Sequence, residues 1–549
     1  MHRLLTAILV VICSSVLCAQ VQKSASINSN SNDTVKSKRT YLYMLHADAT
    51  RGDEKRLPDA VILSGNVQLR RDSMYMYCDS AYLYTKRNSV QAFGNVRMEQ
   101  GDTLFLYGDY ADYDGDSNIA RVRNNVRLID KTTVLETDSL NFDRNINLAY
   151  YFDGGVLSDE QSTLDSYWGE YDVNTKEAVF TNDVTLNNPQ FVMQSDTLCY
   201  NTSTNIAKIV GPTQIDNAQN RILTHLGYYN TNKRQATLLQ RSVVINGTKE
   251  ITGDSLFYDE KKGVSEAFGN IVYTDTLDRN MLTGEYGYMN ELTDSSYVTG
   301  RVVVMDYSQG DTLYMSADTI WAVTHNINTD SLYRIIRACN KVRAYRSDLQ
   351  AVCDSLIFDS RDTCMTMYKD PILWYNNMQL LGEEIKVYMD TASIDWVNII
   401  NQTLYAEKMG DKEYNQIRGQ EMRFLFDAGE LSQMQVIGSV QVRYYPLDGD
   451  SLMLGLNCTE SGRLTAFMKD GEVNKILIPT KADGVFYPLS QIPTEQRYLE
   501  NFAWFDYVRP VNKDDIFNWR GKSKEQQLKK IERGNIPLPM LDRVDEENK

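Results

Sequence analysis

The sequence predicts an all-β chain, an elongated tandem-repeat stack of antiparallel strands that ends in short helices. Three observations predict it. A Gly-Asn-Val step recurs every 28–31 residues, at Gly65-Asn66-Val67, Gly94-Asn95-Val96, Asn124-Asn125-Val126, Gly154-Gly155-Val156, Asn182-Asp183-Val184, Gly211-Pro212-Thr213, Ser242-Val243, Gly269-Asn270-Ile271 and Gly300-Arg301-Val302. Between the steps sits a second phrase, Asp-Ser/Thr-apolar-x-aromatic-Asp, as in Thr137-Asp138-Ser139-Leu140-Asn141-Phe142-Asp143 and Gly253-Asp254-Ser255-Leu256-Phe257-Tyr258-Asp259. Within both phrases apolar residues alternate with polar ones, the period of a half-buried strand. A fixed period of this size describes units that bury their apolar faces only by stacking on neighbours.

The chain begins with a secretory signal over residues 1–19: Arg3, an apolar run Leu4–Leu17, and a cleavage region at Cys18-Ala19-Gln20. Neither Cys13 nor Cys18 follows the small residue that a lipid-attachment site wants. Residues 20–40, rich in Ser, Asn and Lys, read as a flexible linker. Residues 41–340 carry the regular repeats. Residues 341–490 continue the stack in degenerate form, through Asn340-Lys341-Val342, Asp370-Pro371-Ile372 and Gly438-Ser439-Val440, with Gly284-Glu285 and Gln420-Glu421 as imperfect copies of the second phrase. Residues 491–549 read as a helical and tail segment, with helices expected over Thr494–Phe505 and Lys522–Arg533.

Each repeat has room for about three short strands. The glycine before each Val is expected to form a bulge where a strand turns a corner. Asp114-Gly115, Asn246-Gly247, Asp448-Gly449 and Asp470-Gly471 predict hairpin turns. Residues i and i+2 share a face, so Val96, Val126, Leu128, Leu140, Phe142, Leu256, Tyr258 and Ile271 are the candidate interior. Intervening tyrosines, such as the rows Tyr75/Tyr77 and Tyr82/Tyr84, should face solvent.

Composition narrows the function. A net charge of −16, or −17 once Arg3 is removed with the signal, repels nucleic acid. The three histidines beyond the signal, His46, His225 and His325, are scattered, and neither a zinc-protease helix nor a hydrolase elbow is present. Gly521-Lys522-Ser523 lacks the first glycine of a phosphate loop, and Asp112-Tyr113-Asp114-Gly115-Asp116 ends in Arg123 where a calcium loop needs Glu. An Asp repeated in unit after unit suits a turn acceptor better than a catalyst. No catalytic residue, metal or cofactor is expected. The six cysteines after the signal allow fifteen full pairings but are read as free or incidental, with Cys78 and Cys353, in the same phase of the repeat, as small buried strand residues.

The two phrases together, above all Gly253–Tyr273 with Ala267-Phe268-Gly269-Asn270-Ile271 and Cys78–Met98 with Ala92-Phe93-Gly94-Asn95-Val96, resemble the organic-solvent-tolerance, OstA-like, family over roughly residues 60–445. That family includes the periplasmic lipopolysaccharide-transport protein LptA and the N-terminal domain of the outer-membrane translocon LptD. The resemblance implies a β-jellyroll of two facing sheets, open along a seam, that binds lipopolysaccharide acyl chains between the sheets without ATP of its own. It implies a large, multi-repeat relative in the periplasm, associated with the outer membrane, and the Tyr-rich, Gln-after-signal texture suggests a Bacteroidetes-type protein. Its partners would be lipopolysaccharide or lipid A, an outer-membrane translocon, inner-membrane Lpt-type proteins, or further copies joined by end-to-end strand pairing. The competing expectation is an exported β-solenoid that binds glycans or proteins through its tyrosine rows.

Overall fold

The computed structural model describes residues 41–527, apart from 54, 309, 328, 391–393, 428, 450, 451, 470, 471, 480, 501, 524 and 525. The signal, the linker, the Asp470-Gly471 turn and most of Lys522–Arg533 lie outside the described residues. The chain divides at residues 261 and 262 into two compact units. Both are built of antiparallel strands that pair with their neighbours in sequence. Among the described residues no helix is long and apolar enough to cross a membrane.

One repeat is two long strands rather than three short ones. Met74–Tyr84 and Ser89–Gln100 make one unit, and Leu104–Asp114 with Ile119–Asp130 the next. Three strands were expected because an ordinary strand is short, but here each strand is two short arms joined through a bend. The bend falls on the Gly-Asn-Val step. Register between partners slips between Phe93 and Val96, Arg123 and Val126, Thr181 and Val184, and Phe268 and Ile271. At each slip two successive residues take positive φ: Gly94 (74°) with Asn95 (44°), Asn124 (61°) with Asn125 (52°), Asn182 (65°) with Asp183 (56°). Glycine and asparagine are the residues that enter this region most readily. The expected bulge is therefore present, and it bends each strand so that its two arms can face one another.

The second phrase holds the bend. Asn95 Nδ2 donates to Asp79 Oδ2 at 2.8 Å, Asn66 to Asp48 at 2.9 Å, and Asn125 to Asp109 at 2.6 Å. The phrase-ending Asp does what sequence reasoning gave to the whole set. It accepts backbone N–H groups in the turn that follows, as Asp143 does from Asn145 (2.8 Å) and Asp172 from Asn174 (2.7 Å). Successive turns also stack: Arg144 N donates to Asn118 O and Val173 N to Asn147 O, both at 3.0 Å.

In residues 41–261 the inner faces of both arms form one core that runs from Leu42 to Ile209. Residues 262–527 repeat the pattern from Val264–Asp275 to Gly455–Lys469, and Glu472–Leu477 and Asp483–Pro488 each pair with part of that last strand. The helix expected over Thr494–Phe505 is absent. Thr494–Gln496 is a single 3-10 turn, and the chain beyond it is irregular until the turns Asp506–Val508 and Asp515–Phe517. Pro493 and Pro510 only flank the run; its apolar side chains pack in an order set by the sheet beneath rather than by a helical period. All six cysteines are free.

Candidate functional site

The candidate site is the aliphatic interior between the arms of residues 41–261. Val96, Val126, Leu128, Leu140 and Phe142 meet in its core. Leu256 is buried in the same unit but lies outside that cluster, and Ile271 is buried in the other unit. None of these seven is more than 4% exposed. Tyr258 departs from the expectation: it is only half-buried, opposite Ala236.

The seam between the arms is closed. Arg71 Nη1 donates to Tyr113 Oη at 3.0 Å and to the Gly115 carbonyl. Arg144 reaches the same Tyr113 Oη at 3.1 Å, and its Nε donates to Gln100 Oε1 at 3.2 Å. Gln100 Nε2 donates to Asn147 Oδ1 at 3.4 Å. Asp130 Oδ2 accepts from Tyr171 Oη at 2.8 Å and from Lys176 Nζ at 2.5 Å. Asp159 Oδ2 accepts from Tyr200 Oη at 2.8 Å. Apart from Arg144–Tyr113, which lies between successive turns, each pair joins a turn at one arm's end to a turn some forty residues further on, at the end of the facing arm.

The open seam implied by family resemblance is thus replaced by a row of polar bridges. The cause lies in the aromatic place of the second phrase. Tyr113, Tyr171 and Tyr200 fill it in their repeats, and their hydroxyls reach the opposite arm. Where Phe142 fills it, Arg144 makes the bridge instead. Burial, and then the bonded carboxylate, push the Tyr171 and Tyr200 phenols far above their ordinary pKa, so both stay protonated and donate. Sequence reading placed these aromatics in the interior and missed their polar ends. The exchange of Tyr for Phe at that place was the available signal.

Under the Gln100–Arg144 bridge lies a void of about 20 Å³, lined by Met74, Met98, Leu106, Leu128 and Phe142. It has room for little more than one water molecule. A second, open groove of about 860 Å³ runs past Asp183, Gln194, Asp196 and His225, with Val184, Pro212 and Leu223 among these polar residues. Among the described residues no group of three or more His, Cys, Asp or Glu could hold a metal ion.

The tyrosine rows lie on the outer faces. Tyr75 and Tyr77 are half-buried beneath Arg70 and Arg97, Tyr82 meets Phe93 edge-on, and Tyr84 is buried under Arg87. In residues 262–527, Phe268, Tyr286, Tyr297 and Trp321 form an outer ladder that ends in Trp321, which is 41% exposed.

Residues 39–196 match the family model described as OstA-like protein. No curated protein matches the chain. Among solved structures, the crystal structure of LptH, "the LptA homologous periplasmic component of the conserved lipopolysaccharide transport device from Pseudomonas aeruginosa", is similar at 16% identity, covering 26% of this chain and 95% of that one. Its TM-score of 0.20 is too low to rest an argument on. The match takes in the corners from Gly65 to Asp183 and the bridges from Arg71 to Lys176, so over residues 39–196 the chain is similar to OstA-like proteins.

Proposed function

We propose that the protein is a non-enzymatic, periplasmic lipid-binding component of lipopolysaccharide transport or outer-membrane assembly. Acyl chains would lie between the arms of residues 41–261 once the seam has parted. Its neighbours would be an outer-membrane translocon, inner-membrane Lpt-type proteins or further copies. The observation that carries this reading is a continuous apolar interior, aliphatic with aromatic rings interspersed, closed at the seam by bridges that each have a side chain at one end. The OstA-like match supports it.

The energies allow the opening. A neutral hydrogen bond contributes about 1 kcal/mol net and one to a charged group, as at Arg71, Arg144 and Asp130, about 1.5–3 kcal/mol, whereas each buried methylene contributes about 0.8 kcal/mol. An acyl chain of about a dozen methylenes therefore offsets several bridges. Met74, Met76, Met98 and Met193 in this core are side chains that repack readily.

A photo-crosslinking amino acid at Phe142 and at Leu256 in cells, followed by blotting for lipopolysaccharide, tests the proposal. Adducts at Phe142 are expected. If no interior position gives an adduct, the carrier reading fails. The second reading, a solenoid that binds glycans or proteins on its outer face, is favoured by the exposed end of the Trp321 ladder. It predicts protein or glycan capture at Trp321 with no lipid adduct at Phe142.

A further inference from the structure

In residues 262–527 one set of half-strands carries apolar residues on its outer face. Paired residues point the same way, so the register places Val352, Ile372, Leu381 and Leu404 in one row, and Gln350, Trp374, Gln379 and Gln416 in the row beside it. The equivalents of Val352 and Gln350 in the first full repeat are Tyr77 and Tyr75, which are partly exposed. Here the face is buried because the C-terminal segment runs back across it. Leu499, Phe505 and Val508 join the apolar row in a single cluster.

The sheet reads the backbone of that segment. Gln416 Oε1 accepts from Leu499 N and its Nε2 donates to Arg497 O, both at 2.9 Å. Gln379 Oε1 accepts from Phe505 N at 2.8 Å and its Nε2 donates to Ala503 O at 2.9 Å. Both glutamines are fully buried, and the Trp374 indole fixes the Gln379 amide at 3.2 Å. Arg443 donates to Gln496 O at 2.9 Å. The far end is anchored by charge: Arg509 Nε donates to Gln350 Oε1 at 2.6 Å, and buried Lys522 to Asp370 at 2.5 Å.

A buried primary amide that gives one bond and takes one from backbone groups two residues apart recognises a short stretch of main chain whatever its side chains. The neighbouring apolar row adds a preference for an aliphatic residue, then an aromatic, then an aliphatic at the spacing of 499, 505 and 508. This is the division of labour found in peptide-binding grooves, where main-chain bonds hold and pockets select. The contacts come from side chains of the sheet, so the segment is a layer laid on a finished sheet rather than one of its strands.

We propose that this outer face is a binding site for an irregular, turn-containing polypeptide segment, and that residues 496–522 are its resident ligand, exchangeable for a free peptide of the same pattern. The resident segment keeps the apolar row from water, and the site opens to a competing peptide only as the segment lifts.

The test uses the full chain with a protease site inserted between Ser490 and Gln491, both exposed, and cut after folding. The cut C-terminal fragment should co-elute with the body on size exclusion. A labelled synthetic peptide of residues 494–523 should then replace it saturably, while the circular dichroism of the body stays unchanged. Q379L with Q416L should weaken peptide binding by about tenfold or more, because each loses two bonds to backbone groups. A fragment that leaves on cutting with no saturable binding of the labelled peptide overturns the proposal. So does a body that unfolds when the fragment is lost, since the segment would then be core. Exchange of the segment between two copies, seen as a dimer before cutting, would also refute a resident ligand held in cis.

Discussion

At the corner of the second repeat, a Cβ built on Gly94 would stand 2.5 Å from Asp79 Oδ2, and the residue sits at φ +74°. Space and backbone both demand glycine, and Asp79 fills the space because Asn95 holds its carboxylate. We expect G94A to cost about 1–3 kcal/mol in urea unfolding of the full chain, and N95A about 1 kcal/mol. If G94A melts like wild type, the corner is not built by this contact. That each Asp has a structural role was legible from its recurrence. Which residue it meets was not, because Asp79 and Asn95 come together only through the bend. Glu266 makes a second case. It is buried beside Tyr288, one carboxylate oxygen lacks a partner, and burial raises its pKa above the ordinary glutamate value. A carboxyl raised in the folded state contributes its full stability below the unfolded pKa and loses it as pH climbs through the folded one. Hence the Tm advantage of E266Q over wild type should grow from about pH 4 to about pH 7. A difference that stays flat across that range would refute the burial.

Strands were legible where the two phrases keep their written form, and lost where both drift. Between Asp370 and Gly438 sequence reading found no step, yet register slips between Ile400 and Thr403 and both Asn401 and Gln402 have positive φ. Glu383 does the work of Asp there, accepting from Asn401 at 3.2 Å and Gln402 at 2.6 Å. Glu285 likewise packs against Gly300, and Gln420, rather than its neighbour Glu421, against Gly438. A longer acidic or amide side chain satisfies the same corner while erasing the written pattern. The C-terminal segment was illegible for another reason. It has no period of its own, and the glutamines that hold it look like surface residues until the layer above them is known. Phe505 is its central anchor, buried against Trp374 and Leu381. F505A should cost about 3 kcal/mol or more, read as a lower urea midpoint for the change in tryptophan fluorescence. An unchanged midpoint would show that the segment adds nothing to the sheet it covers.

For the protein as a whole the question is whether a full interior can be a transport route. Residues 41–261 hold a dry core whose seam bridges are at once its closure and its weakest part, since no strand ladder crosses between the named pairs. Asp130 is central among them: it is nearly buried, and it serves Tyr171 and Lys176 together. D130N keeps the shape but removes the charge that makes both bonds strong. It should therefore speed hydrogen exchange at the turns near 131 and 176 and raise the yield of lipid adduct at Phe142. The opposite manipulation is a short thiol cross-linker joining Q100C to N147C, with the half-buried Cys199 and Cys339 first changed to Ser. Tying the arms at that bridge should abolish the Phe142 adduct while leaving the melting temperature equal to or above that of the untied protein. If the tied protein still acquires lipid at Phe142, acyl chains do not enter by this seam. If D130N loosens the turns yet no lipid follows in either variant, the interior is a core alone, and the function must be sought on the outer faces.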